Sequence, residues 1–181
     1  LKYELFFADS LENGAGYAKY LSENLEEAVF QGVSQNGDLY QYLMEDRHSS
    51  ICDTSCYDCI RDYHNSTYHS ILDWRLGLDM VRIINNDSSE TISLNSDHWK
   101  NFSENAIKGL IKGKNWNSVF TNGLYEIKNK SNELIAIVVH PLWSNEHPLI
   151  KVAKERSIKI ITIFDAIRRV GWCHIKIDEK D

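Results

Sequence analysis

His48-Ser49-Ser50-Ile51-Cys52-Asp53-Thr54-Ser55-Cys56-Tyr57-Asp58-Cys59-Ile60-Arg61-Asp62-Tyr63-His64 holds three of the chain's four cysteines. A Cys-x2-Cys pair such as Cys56 and Cys59 lets two sulfurs reach one ion from a tight turn. Cys52, with three residues between it and Cys56, can reach over the same turn. Zinc takes such thiolate and imidazole ligands in a tetrahedron with no d-electron preference of its own. Three thiolates need one more donor. His48 is the first candidate, because three residues separate it from Cys52, and His69, His64 and Cys173 are the alternatives. Cys173, in Gly171-Trp172-Cys173-His174-Ile175, otherwise reads as a small buried hydrophobe. An iron–sulfur cluster would call for a fourth nearby cysteine, and the segment has none.

Four protein ligands close the coordination sphere, so the site is expected to be structural. No His-Glu-x-x-His is present to activate a water. The zinc deaminase pattern fails as well, since Ser55 rather than proline precedes Cys56. The bunched cysteines do not offer two sensible disulfides, which points to a reducing, cytoplasmic compartment.

The 181 residues suffice for one domain or a close pair. With 43% hydrophobic and 25% charged residues, neither disorder nor a membrane protein is indicated. No apolar run approaches the roughly 18 residues of a membrane span, and no signal peptide is evident at the amino end. Leu1 to Phe7 already reads as a strand, so the chain is expected to be a piece of something longer. The net charge of -6 argues against a generally basic, nucleic-acid-wrapping domain. A local stripe stays open, with Arg61, Arg75, Lys108, Lys112 and Lys114 as candidate phosphate contacts.

Around the knuckle the spacing predicts a mixed α/β fold, with helices packed on a small sheet. A strand over residues 2–8 leads through Gly14 and Gly16 into a helix using Tyr17, Leu21, Leu25 and Val29, with Gly32 as its stop. A short helix within residues 35–44 is expected to bury Leu39, Tyr42 and Leu43. From Tyr68 onward a long helix is expected, with Leu72, Leu76 and Met80 on one stripe and Trp74, Leu78 and Val81 widening it. Further on, the pattern gives a helix over 99–111 and strands at 124–128, 134–139 and 158–163. A loop bracketed by Pro141 and Pro148 and a short helix over 164–169, ending near Gly171, complete the chain. Two regions follow, 1–92 around the metal and 93–181 as an α/β extension packed on it, with one continuous domain as the alternative.

Cys52-x3-Cys56-Tyr57-Asp58-Cys59-Ile60-Arg61-Asp62-Tyr63-x-Asn65, followed by His69-x2-Leu72-Asp73-Trp74-Arg75, resembles the zinc-binding domain that follows the motor of MrfA-type DEAD/DEAH-box helicases. Related helicase-like proteins of DNA repair and phage defence carry it too. Ala8-Asp9-Ser10 and Asn13-Gly14-Ala15-Gly16-Tyr17 are similar to that family's opening strand and glycine turn. The resemblance implies that Cys52, Cys56 and Cys59 bind zinc and that the domain works beside helicase motor domains on DNA. It usually supplies a fourth cysteine close by, which this chain lacks. No Gly-x4-Gly-Lys-Ser/Thr and no Asp-Glu-x-His occur, so the chain alone is not expected to bind ATP or unwind a duplex.

The leading expectation is therefore a non-catalytic, zinc-stabilised accessory domain of a DNA helicase, with neither a membrane nor a small-molecule substrate as partner. A second reading is a protein–protein interaction module of a defence complex, suggested by Trp74, Trp99, Trp116, Trp143 and Trp172. A third is a metal-dependent nuclease built on Glu126-x-Lys128 with Asp97 or Glu104; alternating Glu and Lys is more often a solvated strand face.

Overall fold

The structure, a computed structural model, describes residues 16–85 and 92–179. The chain divides into two compact units, Leu1–Asp87 and Ser88–Asp181. The expected strand over 2–8 and the Gly14 turn lie outside the described residues.

In the first unit α1 (Tyr17–Glu23) runs into a π-helical stretch, Glu26–Phe30, and α2 (Gln31–Val33). Gly32 lies inside this helical run rather than ending it. The chain leaves at Ser34, whose ψ of 161° is extended. Gly37 is the glycine that matters here, because a Cβ on it would overlap the backbone oxygens of Gln31 and Gly32. Two helices follow, α3 (Asp38–Met44) and α4 (Asp46–Ser49). The buried side of α3 is Tyr40 and Leu43, while Leu39 is half exposed. Tyr40 takes the place of the expected Leu39 in the core cluster, and its ring also receives the Arg82 guanidinium, 5.3 Å from its centroid.

The long helix starts six residues later than the periodicity suggested. Tyr63–Tyr68 is a 3-10 turn, and α5 spans Trp74–Ile84. Asp73 sets the start: its Oδ1 accepts from the backbone N–H groups of Arg75 at 3.0 Å and Leu76 at 3.3 Å. The buried side carries Trp74 and Leu78, with Val81 packed against the same cluster. Leu76 and Met80, placed on the core stripe by the sequence pattern, are only half-buried.

The second unit is a four-stranded sheet in the order β1 (Asn117–Thr121), β2 (Leu124–Lys128), β3 (Leu134–Val139), β4 (Lys159–Thr162). The first three strands form an antiparallel meander, with Val119 opposite Glu126 and Ile127 opposite Ala136. β4 joins parallel to β3, Val138 beside Ile161. Alternation sorts the strands' side chains between two cores. Tyr125, Ile127, Ala136, Val138 and Ile161 pack with Trp99, Ile107 and Leu110 of α6 (Asp97–Ile111). Leu124, Ile137 and Val139 pack on the other side, with Ile150 and Ala153 of α7 (Pro148–Glu155). The chain closes with α8 (Ile163–Arg168) and α9 (Val170–Asp178). This is a mixed α/β fold with helices on a small sheet.

Three elements go beyond the sequence pattern. β1 is joined to β2 through Asn122 and Gly123, at φ 49° and 83°, the left-handed pair of a tight hairpin turn. The stretch between the Pro141–Pro148 loop and Ile158, given no element by the sequence pattern, holds α7, with Pro148 in its first turn and His147 Nδ1 accepting from Leu149 N–H at 3.3 Å. Gly171 sits in the first turn of α9 instead of terminating a helix.

Candidate metal centre

The donor atoms of His48, Cys52, Cys56 and Cys59 all lie within 4.8 Å of one another. Local backbone accounts for this. Cys52 N–H donates to the His48 carbonyl at 2.8 Å, a helical bond that puts residues four apart on one side. At the Cys56–Cys59 turn, Cys59 N–H and Arg61 N–H both donate to the Cys56 carbonyl, at 3.2 and 3.0 Å. Cys56 N–H points at Cys59 Sγ, 3.1 Å away. The sulfur of Cys59 stands 3.6 Å from that of Cys56 and 3.9 Å from that of Cys52. A tetrahedron with zinc–sulfur bonds of about 2.3 Å has sulfur–sulfur edges of about 3.8 Å. The cluster thus has the geometry of a structural zinc site.

His48 completes it. The ring is buried, and its Nδ1 is 2.9 Å from the Leu43 carbonyl, which can only accept, so Nδ1 carries the proton. Nε2 is then a lone pair, and it is buried with no hydrogen-bond partner. An unpartnered acceptor beside three sulfurs is the state of an imidazole made to bind a cation. The Trp74 ring, edge-on at 5.4 Å, fixes its other side.

Burial raises the pKa of the Cys52 thiol well above its usual value, with the neighbouring Cys56 adding to the effect. The Cys59 thiol is pushed up by burial as well, partly offset by backbone N–H groups. Three clustered thiolates repel one another and are poorly solvated here; a bound dication compensates both penalties.

A relative is known. Over 79 residues the chain is 35% identical to Druantia protein DruE of Escherichia coli (strain UMEA 4076-1). The match takes in 44% of this chain and 4% of that protein, so the chain spans a small fraction of the curated relative's length. No protein-family model matches the chain, and no solved structure does. No helix among the described residues is long and apolar enough to cross a membrane.

The other histidines are engaged elsewhere. His69 Nε2 faces the Asp62 carbonyl at 3.0 Å and Asn65 Oδ1 at 2.9 Å. His64 is exposed, its ring edge-on to Tyr63. Cys173 belongs to the second unit and is fully buried in its core. Among the described residues, the His48 cluster is the group of three or more His, Cys, Asp or Glu side chains placed to share a metal. Glu126 instead pairs with Lys128 at 2.9 Å, Asp97 sits in the first turn of α6, and Glu104 joins neither in a ligand group.

The candidate phosphate contacts separate by unit. Arg75 is turned inward: only 5% exposed, it binds the Asp53 carbonyl, lies 4.0 Å from Asp73 and covers the Trp74 ring at 4.5 Å. Its burial lowers its pKa, with Asp73 opposing. Arg61 Nε donates to Ser55 Oγ at 2.9 Å. On the second unit Lys108 and Lys112 are exposed, while Lys114 pairs with Asp178 at 2.6 Å. Trp74, Trp99 and Trp143 are buried and Trp172 is half exposed. Among the described residues of the first unit, the large exposed aromatics are tyrosines, which the tryptophan count did not bring forward.

Proposed function

We propose that the chain is a non-catalytic, zinc-stabilised accessory module of a much longer phage-defence protein, working through contact with other protein segments. The observation that carries this is the buried, unpartnered Nε2 of His48 facing three cysteine sulfurs. When bound, zinc would cross-link α4 to the Cys56–Cys59 turn. Trp74 ties the segment between α4 and that turn to α5, through its backbone N–H to the Thr54 carbonyl at 2.9 Å and its indole N–H to the Cys52 carbonyl at 3.3 Å. The similarity to a Druantia protein over a small part of its length supports the setting and the role of part rather than whole. Helicase motor domains are the neighbour that the sequence resemblance implies.

Zinc content and unfolding together test the reading. The purified chain should retain one zinc per molecule after dialysis. Chelation should abolish the folding transition of the first unit while the second unit still melts cooperatively. A chain that binds no zinc, or keeps both transitions in chelator, counts against the proposal.

A further inference from the structure

Tyr57, Tyr63 and Tyr68 are 69%, 82% and 59% exposed. They are carried on neighbouring backbone of one segment. The Tyr57 ring stands edge-on to His69 at 5.5 Å, and His69 touches the Asp62 carbonyl. Asp62 directly precedes Tyr63, and Tyr68 directly precedes His69. The backbone beneath is braced: Asp62 Oδ1 accepts from His64 N–H at 2.9 Å, and Asn65 Oδ1 accepts from Asp62 N–H at 2.8 Å. Rings presented on a braced loop lose little conformational entropy on binding, so they suit recognition.

Charge selects the partner. Between Lys19 and Lys100 there is no lysine, and the segment from His48 to Asp73 sets four aspartates against one arginine, Arg61. Asp58 and Asp62 are exposed and form no ion pair among the described residues. With zinc bound, three thiolates on one dication would add a further negative charge beside them. A phosphate backbone approaching Asp58 and Asp62 would meet like charge.

We infer that this tyrosine and aspartate face docks a cationic, arginine- or lysine-bearing protein segment, guanidinium or ammonium groups stacking on the rings while Asp58 and Asp62 pair with them. The inference rests on the reading of the chain as an accessory module and names the chemistry of its partner.

The zinc-loaded full chain is titrated against a short fluorescein-labelled peptide of arginine, lysine and glycine, and separately against labelled oligothymidine. Asp58→Asn/Asp62→Asn and Tyr57→Ser/Tyr63→Ser should each weaken peptide binding by about tenfold. Tyr57→Phe/Tyr63→Phe, which keeps the rings, should bind as the parent does. Glu155→Gln/Glu179→Gln, the same charge change on the second unit, should have little effect. Equal losses in both charge-neutralised proteins would reduce the binding to bulk charge and overturn the inference. So would oligothymidine binding more tightly than the peptide and depending on the same tyrosines. Zinc is quantified in every sample. Full zinc without peptide binding sinks this inference alone, whereas absence of zinc from the parent chain sinks the module reading beneath it.

Discussion

His48 Nδ1–H donates to the Leu43 carbonyl oxygen at 2.9 Å, and that bond decides which ring nitrogen faces the three cysteines. A backbone acceptor on one side of an imidazole fixes its tautomer and leaves the far nitrogen basic. His48→Ala should therefore lose zinc to a mild chelator far faster than the parent, with competition by a colorimetric chelator as the readout. His64→Ala and His69→Ala should keep zinc at parental stoichiometry. Full zinc retention in the His48→Ala protein would hand the fourth position to another residue.

Arg75 serves the fold rather than a phosphate. Its guanidinium holds the Asp53 carbonyl between two zinc-side turns and sits against the buried Asp73 carboxylate. Removing one member of a buried charged pair typically costs about 3 to 5 kcal/mol. Arg75→Ala should cost about that much in urea unfolding of the first unit. A loss near zero would show that the side chain is not an anchor.

Two glycines should respond in opposite directions. Gly37→Ala forces a methyl into the Gln31 and Gly32 carbonyls and should destabilise by about 3 kcal/mol. Gly32→Ala meets only ordinary contact with Leu39 inside a helical run, and should stabilise by about 0.5 to 1 kcal/mol. Thermal melts of the two proteins compare them directly.

Cys173 should stay silent toward thiol reagents. Burial, with Asp165 adding to it, pushes its thiol up to about 11. Because the folded value exceeds that of an exposed thiol, the native state keeps the proton where the unfolded chain gives it up. Its contribution to stability is present below about pH 9 and is lost as pH rises toward 11. With zinc bound, the parent should show no titratable thiol at pH 8. Chelation should release three, and only denaturant the fourth. A Cys173→Ala protein should lose less stability than its parent between those two pH values.

Much of the site was legible because its signal is local. Thiolate spacing within one turn and a histidine one helical turn upstream of Cys52 translate directly into geometry. The strands β2 and β3 were equally plain, their apolar runs unbroken by turn residues. Where reading fell short, the deciding interaction was either a cap or a long-range contact. Asp73 starts α5 through two N–H groups, and periodicity cannot see a cap that breaks its own stripe. Asn122-Gly123, between Val119-Phe120 and Leu124-Tyr125, and Pro148, ahead of Leu149-Ile150, are by contrast local signals present in the chain itself. The inward turn of Arg75 is a tertiary matter: charge alone suggests a surface, and only the fold brings the Asp53 carbonyl to it.

All four donors of the metal site fall within His48–Cys59, a stretch of twelve residues. Closing so short a loop carries a small entropic penalty, and the ligand set needs no distant segment of the chain to complete it. A nascent chain released only as far as Cys59 already carries all four donors, ahead of the α5 residues that pack beside them. A bound ion is accordingly a local staple, giving Trp74 a formed surface to land on and holding the first unit shut once it has landed.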